Sequence, residues 1–479
     1  MSCRPPAENV PVGGIRSNAP AVQRNREGQY PMTTSWRMTR RGALKLGAAA
    51  TALPLVHIRS GHAAGRLKVG FWDHWVPGAD VILKKQVDEW GKKNNVDVEV
   101  DFITSNGNKL QVTAAAEAQA GAGHDLMSFF TWDTHNYHAK LAPMDDVVKE
   151  LTSTGGPFNK VSEYLAKING HWMSVPTSWG TQTKPSCARI SLFKKYINVD
   201  VTKMYPNHKE ANEGADWTYD GTFIKAAEAA FKDKHAFGLG LGQTTDSIDW
   251  VGALFHAYGA DLVDAQGKSQ VKSEAVNTVL EYAQKLVKFL PPDTVSYDDA
   301  SNNRSLISGQ GALIFNPPSA WAVAKRDAPK VAEDCWTFPN PAGPKGRYVP
   351  FLGYYWGVWH FSKAQSAAKE LITFLMQRSS VEQREPYTVG YDIPPQNSMM
   401  DFKIWETVEP PKGTVYNYPI RPWHDAIPSL AAAPAPADIA VQIYNGAVLP
   451  TMLAKLKGGS SIKDVVSWAD NEVQGYMQP

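Results

Sequence analysis

The chain has 479 residues, of which 43% are hydrophobic and 20% are charged, with 37 Gly, 33 Pro and 3 Cys. This length predicts two domains or one large unit with two lobes, and the hydrophobic fraction excludes a chain that is disordered throughout. Three cysteines exclude a small scaffold held together by disulfides. No run of eighteen uncharged apolar residues is present, so the sequence contains no stable membrane span.

The positive charge is concentrated in residues 1–64, which carry nine basic and two acidic side chains. The remainder carries 40 basic and 45 acidic side chains and is therefore mildly acidic. Binding to nucleic acid requires a basic surface that displaces counterions from phosphates. The charge distribution therefore predicts no nucleic-acid partner.

Residues 1–64 have the order of a secretory leader. A basic stretch at 39–45 precedes a moderately apolar run at 46–58 and small residues at 61–64. The pair Arg40-Arg41 resembles a twin-arginine export signal, although Ala43 stands where that pattern favours Phe. The alternative is an ordinary signal peptide with two chance arginines. Either predicts cleavage near residues 63–64 and a periplasmic location; translation could start at Met1, Met32 or Met38.

From residue 66 onward, short strand-like runs alternate with helical ones, which predicts an α/β fold. The predicted elements are strands at 66–72, 96–102, 125–130 and 309–315, and helices at 81–93, 110–120, 275–290, 364–377 and 462–477. Two cysteines, Cys187 and Cys335, remain after the leader is removed. In an oxidising compartment they either pair or act as small buried hydrophobic side chains, and the sequence favours free thiols without deciding the point.

Several short motifs occur in a fixed order along the mature chain. They are NGHWMSVP at 169–176, RISLFKKY at 189–196, WTYDGTF at 217–223, HAYGADL at 256–262, SGQGALIFNPPSAW at 308–321 and PNPAGP at 339–344. In this order the motifs resemble the family 1 extracellular solute-binding proteins of ABC importers, a group that includes sugar and maltodextrin binders. The resemblance covers residues 66–477. It departs from the family pattern at Ser174, which replaces a Gly, and in lacking a Tyr-Asn pair before the RISLFKKY segment.

The resemblance implies two α/β lobes joined by about three crossing segments, with ligand enclosed between the lobes by hinge closure. The predicted crossings lie near 175–180, 350–353 and 389–393. Lobe 1 would comprise 65–175 plus 352–390, and lobe 2 would comprise 180–350 plus 392–479. The resemblance also implies a monomer without cofactor, whose partners are a small-molecule ligand and the transmembrane subunits of an ABC permease.

Tryptophans and short polar side chains in the loops after strands are the candidate ligand contacts, because indole faces pack on the C–H patches of sugar rings. The candidate ligand-binding residues are Trp72, Asp73, His74, Trp75, Trp132, Asp133, Trp179, Trp321, Arg347, Tyr354 and Trp356. The family resemblance implies ligand contact for Trp179, Trp321 and Trp356. The other tryptophans fit equally well as core residues, and the two aspartates as helix N-caps.

Further polar candidates are Thr181, Gln182, Asp249, Asn302 and Asn303. Carboxylates beside loop tryptophans favour a neutral ligand rich in hydroxyl groups, since a carboxylate accepts two hydrogen bonds from a diol. An anionic ligand such as glycerol phosphate would require Arg304 or Arg347 in the cleft.

An enzyme is not predicted, because residues 238–242 lack the G-x-G-x-x-G spacing and the chain has no G-x-S-x-G motif. The alternative from another class is a metal or metal-complex binder that uses His74, Asp133, His135 and His138, and a further alternative is a binder of aromatic acids. The sequence therefore predicts the substrate-binding component of an ABC importer that captures a sugar, oligosaccharide or polyol.

Overall fold

The computed structural model describes residues 65–76, 78–205, 216–316, 319–407 and 426–478. These residues belong to one compact unit of the chain, Gly61–Pro479. The predicted leader and signal peptide lie outside the described residues. In the described part of the chain, no helix combines the length and apolar character that a membrane crossing requires.

The strands form one five-stranded sheet, two three-stranded sheets and a small hairpin. Their bounds are β1 Gly65–Trp72, β2 Val96–Ile103, β3 Leu126–Phe130, β4 Lys167–Ile168, β5 His171–Trp172, β6 Val175–Pro176, β7 Ser186–Arg189, β8 Leu313–Phe315, β9 Cys335–Phe338, β10 Ala342–Gly343, β11 Gly346–Pro350, β12 Tyr354–Val358 and β13 Ala426–Ser429. The first sheet has the order β2-β1-β3-β12-β6, the second β8-β7-β9 and the third β10-β11-β13, while β4 and β5 form the hairpin.

Helices surround the sheets. Their bounds are α1 Ala79–Asn94, α2 Lys109–Ala120, α3 Asp133–Tyr137, α4 Asp145–Gly155, α5 Lys160–Ala166, α6 Ile190–Ile197, α7 Val201–Met204, α8 Ile224–Lys232, α9 Thr245–Ala257, α10 Glu274–Leu286, α11 Ser301–Ile307, α12 Ser319–Asp327, α13 Pro329–Glu333, α14 Gln365–Met376, α15 Arg378–Arg384, α16 Ile404–Thr407, α17 Ala437–Asn445, α18 Val448–Lys457 and α19 Ile462–Tyr476.

The first sheet follows directly from its sequence patterns. In β2 the acidic side chains alternate with apolar ones and point to solvent, as expected of an edge strand, whereas all five residues of β3 are buried. β1 runs parallel to β2 and β3, while β12 runs antiparallel to β3 and β6. Helices α1 and α14 pack against this sheet and each other. Helix α1 buries residues at helical spacing, among them Leu83, Val87 and Trp90, and ends at Asn95 in the left-handed conformation.

The second sheet is antiparallel throughout, with β7 between β8 and β9. Cys187 on β7 and Cys335 on β9 are both buried free cysteines. A hydrogen bond with Cys187, together with burial, raises the pKa of the Cys335 thiol. Of the strands predicted from the sequence, 309–315 is shorter than expected and begins at Leu313. The reason is a turn, in which Gly309 has a φ of 76° and the Gly311 N–H donates to the Ser305 carbonyl.

The chain passes from the first sheet to the second between β6 and β7, and from the third sheet back to the first between β11 and β12. These two connections lie where two of the three crossings are expected. The lobe boundaries themselves remain predictions.

Candidate functional site

Four of the predicted site residues form one aromatic cluster behind the end of the first sheet. The ring of Trp72 lies 4.9 Å from that of His74 and 5.2 Å from that of Tyr354, and the His74 ring lies 4.7 Å from that of Trp179. Tyr391 completes the cluster, with its ring 4.9 Å from His74. All five side chains are buried. The structure therefore brings together residues from the loop after β1, from the segment after β6, from β12 and from the segment after α15.

Hydrogen bonds hold this cluster in one arrangement. The Trp179 Nε1–H donates to the Trp72 carbonyl at 3.0 Å, and His74 Nε2 lies 2.9 Å from Asp392 Oδ1. His74 Nδ1 accepts from the backbone N–H of Val76, also at 3.0 Å. Because both ring nitrogens of His74 are engaged, the imidazole has a fixed orientation.

Gly180 permits the close approach of the crossing segment to this cluster. Its φ is 136°, and a Cβ at this position would lie 2.5 Å from the ring of Tyr354. Only glycine adopts this conformation without strain and leaves room for the tyrosine ring.

A cavity of about 300 Å³ opens beside the aromatic cluster, between helices α2 and α3 on one side and α9 and α17 on the other. Phe130 lines the cavity and also contacts the cluster, with ring centroids 5.8 Å from Trp72 and 5.4 Å from Tyr354. The described lining residues are Asn108, Gln111, Val112, Ala115, Phe130, Asp133, Asn136, Tyr137, Gln243, Thr244, Thr245, Ile248, Tyr444, Asn445 and Ala447. The lining therefore combines amide and hydroxyl side chains with three aromatic rings.

Asp133 is the one predicted site residue that lines this cavity directly. It occupies the first turn of α3, and its Oδ2 accepts a hydrogen bond from the backbone N–H of Phe130 at 2.9 Å. Burial raises the pKa of Asp133 to about 6, although the hydrogen bond from Phe130 opposes the shift. The N-cap interpretation of Asp133 is wrong, because Trp132 holds the N-cap position of α3 and the N–H that the Asp133 carboxylate accepts belongs to Phe130, which precedes the helix.

The neighbouring Trp132 connects the two sides of the cavity. Its Nε1–H donates to the carbonyl of Ala431 at 3.0 Å, across 299 positions of sequence. Its ring packs edge-on against Tyr164 and lies 5.5 Å from the ring of His135. The side chain is buried, and its hydrogen bond links the start of α3 to the segment between β13 and α17.

A buried ionic network lies next to the cavity, and most of it was not predicted from the sequence. Lys184 Nζ lies 2.7 Å from both Asp246 Oδ1 and Asp249 Oδ2, and the hydroxyl of the cavity residue Tyr444 donates to Asp249 Oδ1 at 2.9 Å. Burial alone would lower the pKa of Lys184, but the two carboxylates raise it above its usual range. Of these residues only Asp249 was a candidate. Lys184 could have been suspected from its place four residues after Gly180 in a predicted crossing segment.

The remaining predicted residues lie apart from the cavity lining. Trp321 is buried in α12 with Lys325 Nζ 5.4 Å from its ring centre, and Trp356 is buried in β12 with its ring 5.1 Å from that of Phe71. Trp75 is half-buried at the edge of the core. Ligand contact by these tryptophans stays a prediction.

The polar candidates have other partners. Asp73 forms a hydrogen bond with Asp80. Burial and this hydrogen bond raise the pKa of Asp80 to about 8. The Arg347 guanidinium donates to the carbonyls of Trp217 and Asn340. Four other polar candidates contact protein groups. The Gln182 side-chain amide donates to the Ile393 carbonyl, and those of Asn302 and Asn303 donate to Asp246 and Ser319. Arg304 forms an ion pair with Asp298. Thr181 is buried.

The four residues of the metal alternative do not assemble. His74 is engaged by Asp392 and Val76, as described above. His135 Nε2 lies 3.2 Å from the Tyr164 carbonyl, while His138 Nδ1 lies 2.7 Å from the His135 carbonyl. Within the described residues no group of three or more His, Cys, Asp or Glu side chains could hold a metal ion. The metal alternative therefore lacks structural support.

The sequence matches a family of known proteins. The family model described as bacterial extracellular solute-binding protein matches residues 77–380. A curated relative from Deinococcus radiodurans, named as a probable ABC transporter-binding protein, is 26% identical over 136 residues. That match spans 28% of this chain and about a third (32%) of the relative's length.

Solved structures share the fold. Maltose-bound MalE3 of T. maritima has a TM-score of 0.69 at 19% identity, covering 86% of this chain and 100% of that one. A laminaribiose-bound sugar transporter protein from Arthrobacter chlorophenolicus A6 has a TM-score of 0.67 at 15% identity, covering 86% and 99%. A chitin oligosaccharide binding protein has a TM-score of 0.67 at 17% identity, covering 87% and 100%. The predicted two-lobed α/β fold is confirmed.

Proposed function

Since the chain belongs to the bacterial extracellular solute-binding protein family, we propose that it is the substrate-binding component of an ABC importer. It captures a sugar, oligosaccharide or polyol in the cavity beside Phe130 and Asp133 and delivers it to the membrane permease. In this role it is an exported monomer that binds its ligand without chemical turnover. The two-arginine leader supplies its export signal.

The observation that carries this proposal is the chemistry of the cavity lining. Seven lining side chains are amides or hydroxyl groups of Asn, Gln and Thr, and three are aromatic rings, around a volume of about 300 Å³. Sugars need both, because their hydroxyl groups exchange hydrogen bonds with amides and hydroxyls while their C–H faces pack on rings. The volume lies at the lower end of the range for small-molecule sites and fits a mono- or disaccharide better than a long chain.

The similar structures support the same ligand class, since their titles name maltose, laminaribiose and chitin oligosaccharide. For this chain we propose carbohydrate as the ligand class without choosing among these sugars. Trp132 and the aromatic cluster around Trp72 lie beside the cavity, so ligand binding is expected to change indole fluorescence.

The test is a fluorescence titration of the full chain with maltose, laminaribiose, diacetylchitobiose, glycerol and benzoate. A saturable change with one carbohydrate and a Kd near 1 μM, about −8 kcal/mol, is expected. The double variant Asn136→Ala, Thr245→Ala removes two cavity side chains and should weaken that binding at least about tenfold. Thr278→Ala, on the exposed face of α10, is the matched control and should not. Saturation by benzoate alone, or carbohydrate binding that the cavity variant leaves unchanged, would refute the proposal.

A further inference from the structure

The cavity has an unbalanced charge. Of the fifteen described residues that line it, Asp133 is the only charged one, and no lysine, arginine or histidine is among them. The hydrogen bond from the Phe130 N–H reaches only one of its carboxylate oxygens, Oδ2. Asp133 is half-buried, and none of the described lining residues supplies a cation to pair with its carboxylate.

Two basic groups near the cavity, Lys184 and His135, are engaged elsewhere. Lys184 is held between Asp246 and Asp249, which leaves this network without excess positive charge. His135, two positions after Asp133, turns its ring toward Trp132 and the Tyr164 carbonyl. These basic groups therefore do not balance a second negative charge brought into the cavity.

The N-terminus of α9 also faces the cavity and would by itself favour an anion. Its first turn, however, already contains Asp246, and the side chain of Thr244 accepts a hydrogen bond from the Ser247 N–H. The positive end of this helix is thus occupied by groups of the protein.

Building on the carbohydrate-binding role proposed above, we propose that Asp133 sets the charge selectivity of the cavity. The site accepts neutral sugars and sugars that carry an ammonium group, and it excludes phosphorylated and carboxylated sugars. The hydroxyl or ammonium group of the ligand donates to the carboxylate, whereas the carboxylate repels an anionic group. At an effective dielectric of about 20 and a separation of roughly 6 Å, this repulsion corresponds to about a 100-fold loss of affinity.

The experiment measures the affinity of the full chain for matched sugars by calorimetry. The probes are glucose, glucosamine, glucuronate and glucose 6-phosphate, together with cellobiose, chitobiose and cellobionate. The wild-type chain is expected to bind the neutral and ammonium members of a set about 100-fold more tightly than the anionic members. Asp133→Asn keeps an acceptor for the Phe130 N–H. It should reduce the ratio of neutral-sugar affinity to anionic-sugar affinity to below about tenfold, whether or not the affinity for the neutral sugar itself changes.

Two further variants separate charge from folding. Asp133→Glu retains the negative charge and should retain the ratio. Asp438→Asn removes an exposed carboxylate from the first turn of α17, the helix that carries Tyr444, and should leave the ratio unchanged. Equal affinity for anionic and neutral sugars in the wild type, or a ratio that Asp133→Asn does not lower, would overturn the charge selectivity alone. Absence of binding to every probe, charged or neutral, would instead overturn the carbohydrate-binding role and this inference with it.

Discussion

The ionic network around Lys184 allows a stringent test of how this fold holds its interior charges. The Lys184 side chain is completely buried, and its ammonium group lies 2.7 Å from carboxylates of both Asp246 and Asp249. Lys184→Met keeps the length and apolar stem of the side chain but removes the charge. The two carboxylates would then remain close together without a cation.

The expected cost is about 3–5 kcal/mol, because removing one partner of a buried ion pair leaves an uncompensated charge in a medium of low dielectric. That is a large part of the roughly 5–15 kcal/mol by which typical domains are stable. The matched control is Lys84→Met, which breaks the pair with Asp88 on the surface of α1, where the two side chains are 45% and 42% exposed. Exposed pairs at this spacing contribute about 0.3–0.5 kcal/mol.

The assay is equilibrium unfolding of the full chain in urea at pH 7.5, followed by far-ultraviolet circular dichroism. Adding Asp246→Asn and Asp249→Asn to Lys184→Met removes the unbalanced charges and should restore part of the lost stability. A loss below about 1 kcal/mol for Lys184→Met, or a loss no larger than that of the surface control, would refute the reasoning.

Three further substitutions have defined outcomes. Burial and a neighbouring carboxyl group raise the pKa of Asp80 to about 8 in the folded state. The native state therefore binds more protons than the unfolded state between the unfolded and folded pKa values. Because of this difference, the free energy of unfolding falls as pH rises from about 4 to 8. Asp80→Asn should flatten that decline in urea unfolding at pH 4.5, 6 and 8, and an unchanged slope would contradict the shift. Gly180→Ala places a Cβ 2.5 Å from the Tyr354 ring at a φ of 136°. It should lower the free energy of unfolding in urea by at least about 2 kcal/mol. A loss under about 0.5 kcal/mol, on the order of a neutral surface substitution, would show that the Tyr354 ring moves freely. Trp132→Phe removes the bond to the Ala431 carbonyl, which links the start of α3 to the segment before α17, and should weaken binding of the best sugar about five- to tenfold. Unchanged affinity would show that this bond does not support the cavity.

The local elements could be predicted from the sequence because their causes are local. Alternation in β2 and helical spacing in α1 predicted both elements to within two residues of their observed bounds. The strand before Asn316 is shorter than predicted and begins at Leu313. Residues 309–312 instead form a turn, in which the Gly311 N–H donates to the Ser305 carbonyl, and the sequence pattern did not predict this contact.

The candidate site shows where such reasoning stops. Asp133 could be identified because a carboxylate directly after a buried strand lies at the end of a sheet. The partner of His74, in contrast, is Asp392, which is 318 positions away, and no periodicity or motif connects the two. For Trp356 the sheet adds a contact that its motif did not predict, the ring of Phe71 at 5.1 Å, while its ligand contact stays a prediction.

The sequence by itself determined the α/β class and most element types, because hydrophobic spacing and turn residues act over a few positions of chain, and the order of its short motifs indicated the family. Only the tertiary structure decided which side chains share the cavity, that Asp133 is the one charged residue among its described lining, and that Lys184 is already neutralised by two aspartates. These properties depend on distances between segments that the fold brings together from hundreds of residues apart, and electrostatic interactions depend on those distances rather than on order along the chain.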